Sequence, residues 1–256
     1  MVYICTPDFS AACNPEQGWT TGTWSGSDFW GQPVPLKVRR FLLDAGSTGR
    51  LVPPRGAEAF GYVIAGFGTA AVTPPAERFA LGTESMLWLG ACEELSVEAG
   101  QNGLDLLVAE TETSGQAAGP SAEPARKVFA AAELPHLVST RDTRDRLDLV
   151  TENVPVGART IRADRIRYHP GDTAAAHYHT DCHHVFCVLT GSGLLYADEE
   201  AHRLNAGDSA LVGPGEVHWF ENDTGENFSF VEFWAPPPTE TIWTVTGDRC
   251  TWAPAG

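Results

Sequence analysis

Apolar residues run along this chain in short blocks, and long stretches with a 3.6-residue period are scarce. Phe60–Ile64, Val185–Leu189, Ala210–Val212 and Phe228–Trp234 are such blocks, and the last alternates as Phe-Ser-Phe-Val-Glu-Phe-Trp. Glycines and prolines, 26 and 18 in number, break the chain between them. Many short strands separated by turn residues predict an all-β sandwich or barrel. Two stretches read as helical, parts of 126–134 and 141–150. Thr111–Arg126 is rich in Ser, Gly, Ala and Pro, the composition of a linker. The expected organisation is one domain over 1–112, a linker over 113–126 and a second domain over 127–256.

The pattern repeats. A shift of 125 residues lays Gly46 on Gly171, Gly66 on Gly191, Gly68 on Gly193 and Gly82 on Gly207. The same shift puts Tyr-Val-Ile at 62–64 on Cys-Val-Leu at 187–189, and Met86-Leu87 on Leu211-Val212. Each half is then one structural unit and the pair a duplication.

Length agrees, since 256 residues accommodate two domains of about 100–150 each. At 43% hydrophobic residues the chain can bury a core. Its net charge of −16 argues against nucleic acid or an anionic membrane as partner, because both need basic patches. The N-terminus shows no basic run followed by an apolar core, so no export signal is expected. The six cysteines show no CxxC spacing and are expected as reduced thiols in a cytoplasmic protein.

Histidines change the picture. Seven of the eight lie between 169 and 218, and none precedes His136. His177 and His179 are two apart, so on a strand they face one side. His184 opens the next apolar strand. His218 follows the turn Gly213-Pro-Gly and opens another. Three strands can therefore aim four imidazoles at one point, and imidazole is a common ligand of Zn, Fe, Cu and Ni. His183 neighbours His184 and should face the other way. His136, His169 and His202 read as surface or hydrogen-bonded groups. Cys182 and Cys187 read as buried small apolar residues.

The second half resembles the cupin superfamily on these residues. Gly171, His177, His179 and Gly191 match its first motif, G-x5-HxH-x3,4-E-x6-G, with His184 in the glutamate position. Gly207, Gly215, His218 and Asn222 match its second, with the proline moved from 213 to 214. The resemblance implies two tandem double-stranded β-helix (jelly-roll) barrels. It also implies one divalent transition metal, Fe, Zn, Ni or Cu, held by His177, His179, His184 and His218. At the 125-residue shift the first half carries Val52, Pro54, Ala59 and Glu93. Those residues cannot hold a metal, so that domain is expected to be inert.

Four neutral ligands leave a divalent ion its full charge, which makes it a strong Lewis acid towards enolate, phenolate or water. Phe186 and Val188 share the face of His184, and Tyr196, Trp219, Phe220 and Trp234 are further candidate walls, although core packing accounts for such aromatics equally well. Glu232 alternates with Phe230 and Trp234. It reads as a paired structural charge or as a catalytic base with a raised pKa, with Arg165 and Arg167 as expected partners. The expected ligand is a small hydrophobic or aromatic molecule, and the expected assembly a monomer or homodimer. Three functions fit: an O2-dependent dioxygenase of aromatic or 1,3-dicarbonyl compounds, a redox-neutral polyketide cyclase, and a small-molecule-binding cupin without turnover. The dioxygenase leads.

Overall fold

The computed structural model describes residues 2–6, 13–14, 19–25, 34–51, 57–73, 76–89, 93–111, 128–151, 160–197, 199–245, 247 and 249–255. Among these there is one 3-10 turn, Ala131–Glu133, and every other regular element is a strand. No described helix is long and apolar enough to cross a membrane. The all-β expectation holds. The helical reading of 141–150 does not. Leu147 and Leu149 alternate with polar neighbours, and Asp145–Val150 pairs antiparallel with Arg162–Tyr168. Of 126–134, Val128–Ala130 is a strand running into the 3-10 turn.

The chain divides into two compact units, Pro7–Glu133 and Met1–Thr6 with Leu134–Gly256. The linker expected at 113–126 lies outside the described residues. Two short pairings set the observed division. Val128–Ala130 pairs with Ser85–Leu89, and Tyr3–Cys5 pairs with Ser209–Val212.

The C-terminal unit is two antiparallel sheets. The larger has eight strands in the order Tyr3–Cys5, Ser209–Val212, His183–Thr190, Phe228–Ala235, Arg162–Tyr168, Asp145–Val150, His136–Ser139, Trp252–Pro254. The smaller has five: Glu200–Asn205, Ser192–Ala197, His218–Glu221, His177–Tyr178, Ile242–Trp243. Between them Phe186, Val188, Leu195, Phe220, Phe228 and Phe230 form the core. Each fully buried Phe removed to Ala costs about 3–5 kcal/mol in such a setting. The expected strand alternation is observed here, since Val185 and Cys187 face away from this core while Phe186 and Val188 face into it.

The N-terminal unit is a nine-stranded sheet built around two long strands, Ala59–Thr73 and Glu94–Thr111. Bulges at Val63/Ala65 and Gly66/Gly68 break the register along the first. Gly66 and Gly191 show why the glycine pattern repeats. Both have φ > 0, at 87° and 74°, and a Cβ on either would lie within about 2.3 Å of a backbone carbonyl oxygen. No L side chain is tolerated there.

The repeat is not a single fixed shift. Glu84 N donates to Val63 O, as Gly207 N donates to Val188 O. Both residues have φ > 0. Glu84, not Gly82, therefore corresponds to Gly207, and the shift falls to 123 residues. The ladders agree: Ala59 pairs with Leu89 and His184 with Val212. On this register Leu95 corresponds to His218, and through the ladder its partner Leu51 takes the place of His177, a local shift of 126 on that strand. This corrects the alignment of Met86-Leu87 on Leu211-Val212 and of Glu93 on His218. The cause is two extra residues in the N-terminal hairpin, which an ungapped shift cannot see.

Candidate metal centre

Two short strands and one long one carry the histidines. His177 lies directly opposite His218 in the ladder, with ring centroids 4.6 Å apart. The chain then turns, and His179 follows on the same side, 5.3 Å from His177 and 5.8 Å from His218. One nitrogen from each of His177, His179 and His218 falls within 4.8 Å of the others. All three rings are fixed alike. The Nδ1 atoms of His177, His179 and His218 lie 2.9, 3.1 and 3.0 Å from the carbonyl oxygens of Ala175, Glu240 and Glu216. A carbonyl only accepts, so each Nδ1 carries the proton and each Nε2 keeps a free lone pair. The Nε2 atoms of His179 and His218 are buried with no hydrogen-bond partner. Buried lone pairs without a donor are costly, and a cation at the shared centre would satisfy them. A backbone acceptor behind each ring is the usual support of a metal-binding imidazole. The residues therefore fit a transition metal.

His184 stands beside this group and is not among the three whose nitrogens meet within 4.8 Å. Its ring lies 5.3 Å from that of His218 and 5.6 Å from that of His179. Trp234 stacks on it at 4.4 Å and Phe186 packs at 3.9 Å. His184 Nε2 is 3.1 Å from Glu232 Oε2, and its Nδ1 is buried without a partner. Burial, and secondarily the neighbouring imidazoles, hold His184 well below the usual histidine range. Burial first, then the Asp164 carboxylate, holds Glu232 well above the usual carboxylate range. Burial thus disfavours the charged form of both groups across this contact. His177 is lowered to about 4, chiefly by burial. Burial also lowers His179 and takes His218 well below the usual range.

The expected arginine partners of Glu232 are elsewhere. Glu232 is opposite Asp164 in the ladder, so Arg165 and Arg167 face the other side of that strand or its end. Both reach Asp145 instead, at 3.5 and 3.7 Å. His136 and His169 also approach Asp145, at 3.5 and 3.4 Å. His183 is half-buried on the opposite face of its strand, and Cys182 and Cys187 are buried and outside the nitrogen cluster. Burial pushes the Cys182 thiol up to about 12. Cys5, Cys182, Cys187 and Cys250 form no disulfide among the described residues.

A cavity of about 560 Å³ opens over the histidines, a size suited to a small organic ligand. Phe186, Phe220, Trp234 and Glu232 line it, as expected from the sequence. Val188, Tyr196 and Trp219 do not. Val188 shares the inward face but lies in the packed core. Trp219 sits between two inward residues, His218 and Phe220, so it points outward and stacks on Tyr196 at 4.7 Å. Sequence reasoning missed the rest of the wall. Arg144, Arg146 and Arg162 line the cavity, each paired with aspartate: Asp142 at 2.8 Å, Asp148 at 2.6 Å and Asp164 at 3.3 Å. Trp243, Arg249 and Trp252 come from the C-terminal segment. Alternation of Arg144 and Arg146 was a readable signal. Nothing local marks the tail residues.

Comparison with known proteins agrees with the fold. Residues 164–234 match the family described as Cupin domain. An uncharacterized protein of Aquifex aeolicus (strain VF5) is 41% identical over 46 residues, 18% of this chain, and the match spans 38% of that protein. Among solved structures, protein Ylba of E. coli is similar at 17% identity, TM-score 0.71, covering 93% of both chains. The oxalate decarboxylase of Lactobacillus farciminis, solved as a formate complex, is similar at 15% identity, TM-score 0.75, over 94% of this chain and 88% of that one. The oxalate decarboxylase of Bacillus subtilis is similar at 14% identity, TM-score 0.72, over 95% and 78%. The fold is that of the cupin superfamily.

Proposed function

We propose that this chain is a metal-dependent bicupin enzyme of small planar oxyanions, working as an O2-dependent dioxygenase on an aromatic or 1,3-dicarbonyl compound. The observation that carries the metal is the set of convergent Nε2 lone pairs, two of them buried without partners. His177, His179 and His218 would hold the ion, with His184 as the fourth ligand through Nδ1, the nitrogen not engaged with Glu232. The neighbours named oxalate decarboxylases, one of them described with Mn(II) centers, support a metal and a small anionic substrate in this fold. A divalent ion with neutral ligands supplies an undiminished positive charge to stabilise an enolate or phenolate oxygen.

The chain's own residues do the rest. Trp234 and Phe186 fix the His184 ring, and the aromatic walls exclude water from the cavity floor. Glu232, in the cavity wall with its pKa raised chiefly by burial, is the group placed to exchange a proton with a substrate oxygen. Its other contact, His184 Nε2, keeps the carboxyl oriented.

A redox-neutral cyclase is the second reading, favoured by the absence of any carboxylate among the candidate ligands. Protein reconstituted with Fe, Ni, Cu or Zn in turn, assayed for oxygen uptake with diketone and phenolic substrates, separates the two. Stoichiometric O2 consumption supports the dioxygenase. Turnover unchanged under anaerobic conditions replaces it with the cyclase. Ligand binding without turnover leaves a binding protein.

A further inference from the structure

Charge is distributed unevenly around the cavity. The chain carries −16 overall and 17 Lys and Arg in total, yet four arginines line this one space. The carboxyls that face it are Glu232 and Glu240. Three of the four arginines are committed. Arg144, Arg146 and Arg162 are held by their aspartates and lie over aromatic rings, Arg144 and Arg146 on Trp252 at 5.6 and 5.1 Å, Arg162 on Trp234 at 5.2 Å. Arg249 is different. It is exposed at the cavity rim, and it has no hydrogen-bond or ion-pair partner among the described residues.

Described residues on either side of it are nevertheless anchored. Before it, Thr244 N donates to Ala176 O at 3.0 Å, and Trp243 pairs with His177. After it, Cys250 accepts from Arg144 Nη2 at 3.1 Å, and Thr140 N donates to Thr251 O at 2.9 Å. Trp252–Pro254 then joins the His136–Ser139 strand. Arg249 thus lines the same cavity as Trp243 and Trp252, with its guanidinium unpaired among the described residues. Trp243 also packs on the His177 ring at 5.1 Å. A guanidinium offers a planar fork matched to a carboxylate, and indole faces take flat rings.

We infer that Arg249 is a specificity-determining residue that captures the carboxylate of a planar, ring-bearing acid lying against Trp243 and Trp252, with its other end towards the histidines. The inference rests on reading this cavity as the substrate site, and it refines that substrate to an aromatic carboxylate.

Benzoate, benzamide and acetate are the probes, titrated by tryptophan fluorescence against metal-loaded and metal-free protein. Benzoate is expected to bind at least about tenfold more tightly than benzamide or acetate. In Arg249→Gln the preference for benzoate over benzamide should disappear while benzamide affinity stays unchanged, and Arg249→Lys should restore part of it. Circular dichroism confirms that each variant is folded. An undiminished preference in Arg249→Gln overturns the inference, as does failure of the wild type to bind benzoate. Acetate binding as tightly as benzoate overturns the aromatic part. The metal-free arm keeps the two claims apart. A benzoate preference there, in a protein that never retains an ion, supports the arginine and sinks the metal reading.

Discussion

Ala59 and His184 stand on equivalent rungs of two ladders, one opposite Leu89 and the other opposite Val212. The pair Leu51–Leu95 likewise occupies the rung of His177–His218. Around these rungs the backbones agree down to the positive φ of Gly66 and Gly191. What fills the interior differs. In the N-terminal unit Leu51, Leu95, Val97, Leu106 and Val108 close the space to about 10 Å³. In the C-terminal unit imidazoles, Glu232 and arginines keep about 560 Å³ open. Through the ladders Val108 is the counterpart of Glu232, and Glu110, which grips Arg39 at 2.7 Å, is the counterpart of Trp234. Leucine and alanine at these rungs add buried core where the other unit has imidazoles. Buried imidazoles are the opposite bargain, since they cost stability unless something satisfies them.

The largest way to test this contrast is to remove a ligand. His218→Ala should drop metal content from one ion per chain to under about a tenth, with the circular dichroism spectrum preserved, because a metal site lost is not a core lost. His184→Ala should lose metal too, and retention of full occupancy would confine the site to the other three histidines. The matching change in the N-terminal unit, Leu95→Ala, should behave in reverse. It should cost about 2–5 kcal/mol in denaturant unfolding and leave metal content untouched. A metal loss there would break the comparison.

Acid should expose the imidazoles next. In the metal-free protein His177, His184 and His218 sit below the unfolded value of 6.5, so the unfolded chain binds protons that the folded unit does not. Stability is then fully present above pH 6.5 and falls as pH drops towards about 4. Glu232 acts with the opposite sign. Its folded pKa is raised, so its contribution is present below 4.5 and fades as pH rises. Glu232→Gln, which keeps a neutral side chain, should therefore gain on the wild type in melting temperature as pH rises from 5 to 8. An equal gap at both pH values would mean that Glu232 is ionised. The smallest effect belongs to His183→Ala, on the outward face: less than about 0.5 kcal/mol and unchanged metal content. Equal metal loss from His183→Ala and His184→Ala would reverse the assigned strand faces.

Much of this was legible along the chain. Alternation and glycine spacing determine the strands, the internal repeat and the cupin-like histidine set, because strand period and positive φ are local demands that a residue type either meets or fails. Alternation also separates His184 from His183. It fails for 145–150, where charged residues masked the two-residue period, and for Tyr196 and Trp219, whose aromatic character said nothing about which face they occupy. Only the tertiary structure decides the cavity. Which carbonyl stands behind each imidazole, that Glu232 meets His184 and not an arginine, and that Arg249 and two tryptophans arrive from the far end of the chain all depend on contacts between residues distant in sequence. The same holds for the two-residue slip that sets Leu95 against His218. A hydrogen-bonded ladder counts pairs of residues across strands, and no reading along one strand contains that count.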